Sequence, residues 1–431
     1  MSNRYHRMRL ISATAVALAG GLFTAGAAAA DSIIRWMHVE QVPGNVAVWN
    51  QIARDYEAKH PGVKVELQFL ENQAFKAKLP TLLQSNDAPS IFYTWGGGVL
   101  KAQSETGTLR PINAAIDANG GEWRKSVNAS AVDGLTFDGK VWASPVRTGL
   151  VSFYYNKELF KKAGVDASKI ATWDDFLGAV KALKQAGITP IAGGGRDKWP
   201  LHFYWSYLSM REAGQKGFAD AKAGKNDGFA GKPFVKAGER MAELGKLEPF
   251  QNGYLGATWN DALATFGDGR AALILSFENT PATQASNSTS RKGLPDDNIG
   301  RFPFPVVSGG AGVTTDSFGG LNGWAVTKNA PPETEDFLRY MASVDVQKVL
   351  ARDTQIMPVA KGASEAISKP LLKEVAEALG KETWHQNFLD QDLGPNVGAI
   401  VNDISVEVVS GGMKPAAAAQ QIEDAYSLER K

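Results

Sequence analysis

Cysteine is missing from all 431 residues. Its absence excludes disulfides, cysteine-ligated metals and the lipid-modified N-terminal cysteine that tethers many exported bacterial proteins. Histidine is scarce: only His38, His60, His202 and His385 follow residue 30, and none falls in a His-Glu-x-x-His pattern. There is no Gly-x-Ser-x-Gly nucleophile elbow. The glycine triplets lack the Gly-Lys-Ser/Thr of a phosphate loop, which argues against nucleotide binding. Asp174-Asp175 and Asp296-Asp297 are carboxylate pairs, but adjacent side chains on a helix point apart, so solvated surface is the better reading. The sequence therefore offers no catalytic residue, no metal ligand set and no cofactor motif. Neither sign of charge dominates, with 46 Lys+Arg against 45 Asp+Glu and no long basic run. Nucleic acid and anionic membrane are poor partners for such a chain.

Long apolar runs are also lacking. The longest, Leu10 to Phe23, falls short of the ~20 residues that a membrane span needs. It follows the positive start Arg4, Arg7 and Arg9 and precedes Ala27-Ala28-Ala29-Ala30. That order reads as a secretory signal peptide over residues 1–30, cleaved before Asp31. A soluble, unanchored protein in the periplasm of a double-membraned bacterium is the expectation. Loss of the three leader arginines leaves the mature chain slightly acidic.

What the chain has in excess is aromatic: 11 Trp, 10 Tyr and 20 Phe. About 400 mature residues exceed what one core usually supports, so two lobes are expected. Strands and helices alternate from residue 32. Ser32 to Met37, Val63 to Phe69 and Ser90 to Thr94 read as strands. The stretches Val46 to Lys59 and Gln73 to Gln84 between them have helical spacing, the second with Pro80 inside. This β-α-β-α-β order predicts an α/β fold with a mostly parallel sheet, whose ligands bind beyond the carboxyl ends of the strands. The loops after Met37 and Thr94 share that edge, which would bring His38, Glu40, Gln41 and Trp95 to one crevice. Further on, Thr172 is the expected N-cap of a helix from Trp173.

Trp95-Gly96-Gly97-Gly98 is the most informative motif. An indole beside exposed backbone amides suits a flat, hydroxyl-rich ring, and glycine lets a ligand approach the main chain. The competing reading is a glycine turn with a core tryptophan. Trp36, inside a strand, reads as core. Trp324 divides evenly between site and core. Phe203, Tyr204 and Trp205 form a cluster on a helix, one of them expected at a cleft, and Trp384 is a further candidate. Glu40, Gln41, Arg147, Asp316 and Asn322 fall in loops near strand ends. Singly they read as solvated; jointly they offer amide, carboxylate and guanidinium groups that bond vicinal hydroxyls.

Six blocks occur in an order that resembles the sugar-binding, maltose-binding-protein-like group of extracellular solute-binding proteins of ABC transporters. They are Pro89 to Trp95, Gly139 to Pro145 with Phe153 to Phe160, Ala171 to Phe176, Phe266 to Leu273, Gly319 to Val326, and Phe337 to Tyr340 leading to Met357-Pro358-Val359. The Trp-Gly-Gly-Gly loop looks most like members that take xylo-oligosaccharides. The resemblance implies a periplasmic-binding-protein-like fold of two α/β lobes whose chain crosses the hinge three times, near Arg147-Thr148, Phe318–Gly320 and Gln355–Met357. It places residues 31–146 and 320–355 in the first lobe and 149–318 and 357–431 in the second. The implied function is capture of a sugar or oligosaccharide and delivery to an ABC permease, by a monomer with no chemistry of its own. A tryptophan that stacks on sugar in the family is replaced here by Phe277-Glu278-Asn279, which moves the stacking role to Trp205 or Trp259. Gly96, Gly97, Gly320, Glu278 and Asn279 join the expected ligand contacts on the same basis. The alternative from another class is a secreted glycoside hydrolase acting on oligosaccharides, which needs two carboxylates facing across a cleft.

Overall fold

Alternation of buried and exposed side chains makes Ser32–His38 (β1) and Val63–Phe69 (β2) strands, and the fully buried Ile91–Thr94 (β3) joins them. The computed structural model describes residues 32–430; the expected signal peptide lies outside them. β1 pairs in parallel with β2 and β3, with Trp36 opposite both Leu67 and Ile91. Helices Pro43–Lys59 (α1) and Asn72–Leu82 (α2) make the crossovers. The remaining central strand, Leu321–Thr327, arrives from far along the chain. It runs antiparallel between β3 and strand Ala143–Thr148. Trp36, Trp49, Trp324 and Phe337 form the aromatic centre of this lobe; Trp36 lies 5.1 Å from Trp49 and 5.2 Å from Trp324.

The second lobe is built on an antiparallel sheet of Ile299–Phe302, Ser152–Asn156 and Leu273–Ser276. The helical stretch Trp199–Lys222, broken at Gly214 where φ is +63°, runs through its core. Each lobe has its own large hydrophobic core, Trp95 packs against both, and a smaller cluster of Leu150, Ala351, Met357, Ile367, Leu372 and Val375 bridges them. The expected N-cap holds: Thr172 Oγ1 accepts from Asp175 N–H, and Asp175 accepts back from Thr172 N–H at 2.9 Å.

Three passages connect the lobes. Gly149 N–H donates to Gly320 O and Val151 N–H to Phe318 O, both at 2.8 Å, so the first two passages are stitched side by side. A Cβ on Gly319 would lie 2.0 Å from Gly149 O, so only glycine fits there. At the expected third passage the chain touches both lobes: Gln355 Oε1 accepts from Ala282 N–H of the second lobe at 3.2 Å. Asn128 N–H donates to Val359 O at 2.9 Å and Lys361 N–H to Ser126 O at 2.8 Å, both contacts with the first lobe. The chain reaches the second lobe by Lys369, whose amine pairs with Asp296 at 3.0 Å.

Candidate ligand-binding cleft

The carboxyl ends of β1 and β3 open toward the second lobe, and two adjoining cavities of about 130 and 140 Å³ lie between them. Val39, Tyr93, Arg147, Trp259 and Phe277 line both cavities and make them one cleft. The first-lobe wall carries Glu40 and Gln41 at one end and Trp95 at the other. The second-lobe wall is a set of three rings: Trp199 lies 5.1 Å from Trp259 and 5.9 Å from Phe277, the last pair stacked. Each cavity alone is smaller than the ~300–1,000 Å³ usual for small-molecule sites. A ligand must therefore use both or part the lobes.

The lobes already touch across the cleft. Asn260 Nδ2 donates to Gln41 Oε1 at 3.2 Å, and Asn387 Nδ2 donates to Trp95 O at 3.0 Å. Gly97 and Gly98 lie at this contact. Gly96 and Gly97 take positive φ, +67° and +59°. A Cβ on Gly97 would sit 2.8 Å from Asp392 Cα, and one on Gly98 would sit 2.6 Å from Gly394 N. At Gly97 and Gly98 it is the other lobe's backbone that comes close; at Gly96 it is Leu321 O of the same lobe, 2.7 Å from a Cβ built there. Trp95 itself is half-buried, edge-on to Phe75 and Tyr93, with the Lys76 amine 4.9 Å from its ring centre.

Arg147 is the cationic centre of the cleft. Its Nε donates to Tyr93 Oη at 3.2 Å and its guanidinium lies over the Tyr93 ring. Burial opposes the charge, but Tyr93, Glu278 and Glu40 outweigh it and hold the group protonated. Burial pushes the Tyr93 phenol up to about 12, so it stays neutral. Glu40 is already committed, accepting from Val42 N–H at 2.8 Å and Asn45 Nδ2 at 3.2 Å. His38 is buried behind the wall; burial lowers its pKa to about 4, and its neutral Nδ1 accepts from Glu40 N–H.

Several expected contacts lie elsewhere. Trp205 is fully buried in the second-lobe core. Residues 199, 202 and 203 line the cleft, and 205 lies about a third of a turn round the helix from the middle of that face. Trp384 packs on Phe218 at 5.3 Å within the second lobe. Glu278 is a hinge residue, its carboxylate accepting from Leu150 N–H at 3.2 Å; burial raises its pKa against the pull of Arg147. Gly320 sits between the two stitched passages, and Asn322 is buried on a strand beside Arg147. Trp324 is core, yet its edge reaches the cleft floor. Asn279 and Trp259 line the cleft. Trp199, Phe203, His202, Phe388 and Asp390 also line it and were not singled out individually by sequence, except for Phe203 in its cluster. Among the described residues no group of His, Asp and Glu has the arrangement to hold a metal, and no helix is long and apolar enough to cross a membrane.

Residues 42–348 match the family model of the bacterial extracellular solute-binding proteins. The chain belongs to that family. It is similar to the multiple sugar-binding protein of Streptococcus mutans, 25% identical over 336 residues covering 75% of each chain. It is also similar to the sn-glycerol-3-phosphate-binding periplasmic protein of Brucella suis, 24% identical over 95% of each chain. A solved structure from work on xylan utilization by Caldanaerobius polysaccharolyticus shares the fold, with TM-score 0.82 at 22% identity, covering 91% of this chain and 99% of that one. The two lobes and three passages are thus those of a periplasmic-binding-protein-like solute-binding protein.

Proposed function

We propose that this solute-binding protein takes a sugar or short oligosaccharide between its lobes and hands it to an ABC permease. The observation that carries the reading is the cleft itself: aromatic rings from both lobes face one space that also holds Arg147, Gln41, Asn260 and Asn279. A sugar has an apolar ring face for the former and hydroxyls for the latter. A phosphate ester has no ring to fill the aromatic walls, so we favour sugar over the glycerol phosphate of the Brucella relative. The two largest hydrophobic cores support a division of the chain into residues 32–148 with 321–361 and residues 151–319 with 369–430. We infer a free periplasmic monomer without catalysis; in keeping with the latter, the Glu40 and Glu278 carboxylates are engaged by backbone N–H groups.

Titration with xylobiose, xylotriose, lactose, maltotriose and sn-glycerol 3-phosphate, read by tryptophan fluorescence, tests the reading. We expect a sugar response and, for Trp95→Ala, an affinity about ten-fold lower, by analogy with the ~1–3 kcal/mol of base–aromatic stacking. Binding of glycerol 3-phosphate alone, or release of reducing sugar on incubation, would overturn it.

A further inference from the structure

We propose that His202 and Asp390 form a paired acceptor site in the floor of the cleft, which takes two adjacent hydroxyl donors on the edge of one sugar ring. Both side chains are buried, 1% and 4% exposed, yet both line the Trp95 end of the cleft. His202 Nδ1 faces the Trp199 carbonyl, so that nitrogen carries the proton and Nε2 presents a lone pair. Nε2 lies 3.5 Å from Asp390 Oδ1, and neither atom has a hydrogen-bond partner in the protein. A charge-assisted bond between them would be shorter, about 2.7–2.9 Å. The other carboxylate oxygen of Asp390 is taken by the side-chain amides of Gln391 and Asn402, at 2.8 and 3.2 Å. Two buried acceptors therefore converge on one cavity with no donor between them, an arrangement that is costly unless something supplies the hydrogens.

The groups facing the imidazole are few. Asp390 favours its protonation, as does the bond to Trp199; Lys76 from α2 opposes it. Phe203 and Phe318 pack on it edge-on and are apolar. Burial is the largest influence and lowers the His202 pKa, so the neutral ring is the form present near neutrality. One hydroxyl donates one hydrogen and cannot serve both acceptors. Two hydroxyls on neighbouring ring carbons can, with the ring faces toward the aromatic side chains of the same cavity. The site therefore selects rings whose vicinal hydroxyls are free, and a deoxygenated or O-methylated ring leaves a buried acceptor unpaired. Acid has the same effect from the protein side. A proton on Nε2 pairs it with Asp390, satisfies both atoms internally and removes the acceptor pair.

This inference rests on the sugar reading, and the experiment separates the two. Calorimetric titration of the mature chain with xylobiose, xylotriose, lactose and maltotriose would run from about pH 8 down to about pH 4.5, toward the acid side on which the ring gains its proton. His202→Phe and His202→Gln would be titrated beside the wild type. Expected results are wild-type affinity that falls as pH drops, a loss of about ten-fold or more in His202→Phe at neutral pH, and binding in His202→Gln that survives without the histidine's pH dependence. Glutamine keeps an acceptor and does not titrate, so the pH profile distinguishes a ligand contact from a packing role even if the phenylalanine variant fails to fold. Wild-type affinity that is flat with pH and unchanged in the glutamine variant overturns this inference and leaves the sugar reading standing. No binding of any of the four sugars to the wild type at any pH overturns both.

Discussion

Gly98→Ala should push the lobes apart while leaving each of them sound. Gly98 begins the second residue of helix Gly97–Glu105 (α3) and is not among the glycines with positive φ. Alanine there is the better helix former, by about 0.5–1 kcal/mol. Its Cβ would fall 2.6 Å from Gly394 N, 2.8 Å from Asp392 O and 2.9 Å from Gly394 Cα, all backbone atoms of the other lobe. No side-chain rotation relieves such contacts; α3 must move away from residues 392–394. Overpacking costs about 1–3 kcal/mol, and here the cost falls on the state in which the lobes touch. Affinity for the bound solute should drop by about 5- to 150-fold, at 1.4 kcal/mol per factor of ten. Small-angle scattering should show a larger radius of gyration with and without solute, and the thermal midpoint should be unchanged or slightly higher. A lower midpoint with no change in radius would refute the reasoning, because it would place the seam inside a rigid body. Gly97→Ala is the less informative variant, since its φ of +59° adds backbone strain of its own.

Two other perturbations separate core from cleft and test the buried charge. Trp205→Ala should lose about 3–5 kcal/mol of stability in urea unfolding, from the cavity left by a fully buried indole. Trp259→Ala should leave the unfolding midpoint nearly untouched while weakening sugar binding in the fluorescence titration. His38 should contribute acid sensitivity. Its folded pKa of about 4 lies below the ordinary 6.5, so the unfolded chain binds the proton first. Stability present above pH 6.5 is lost as pH falls toward 4, by up to about 3 kcal/mol, and His38→Asn should flatten that part of the profile.

The parts of the fold that depend on neighbours in sequence were legible there. The parallel β-α-β-α-β opening follows from alternation and helical spacing, and the Thr172–Asp175 capping box is a local signal. The cleft aromatics were harder to sort because helix Trp199–Lys222 is buried on nearly every side. With no polar face to orient it, composition points equally to Trp205 and to Trp199. Spacing does not separate them cleanly, since 205 is also three residues from 202; the packing of the folded lobe does. Strand Trp384–Asn387 is short and polar, and its partner, Asp316–Gly319, lies far away in sequence, so nothing local announces it. His202 and Asp390 come from helices distant in the chain, and a lone histidine and a lone aspartate carry no signal until the fold joins them.

The placement of Leu321–Thr327 also sets an order of events for the chain. This strand fills the middle of the first sheet, between β3 and Ala143–Thr148. Until it is made, the sheet has an open edge on β3, and the strand that should follow it has nothing to pair with. The entire second-lobe sheet, ending at Phe302, is synthesised before that gap is closed. The second lobe's own core must in turn wait for residues as late as Ile422. Neither lobe can therefore finish folding during early synthesis, and long-range strand pairing of this kind is slow. Parts of such a chain stay without their partners, and open to holding partners and proteases, until almost its full length is available. Cutting the gene at the hinge would yield two fragments with missing strands rather than two separate lobes.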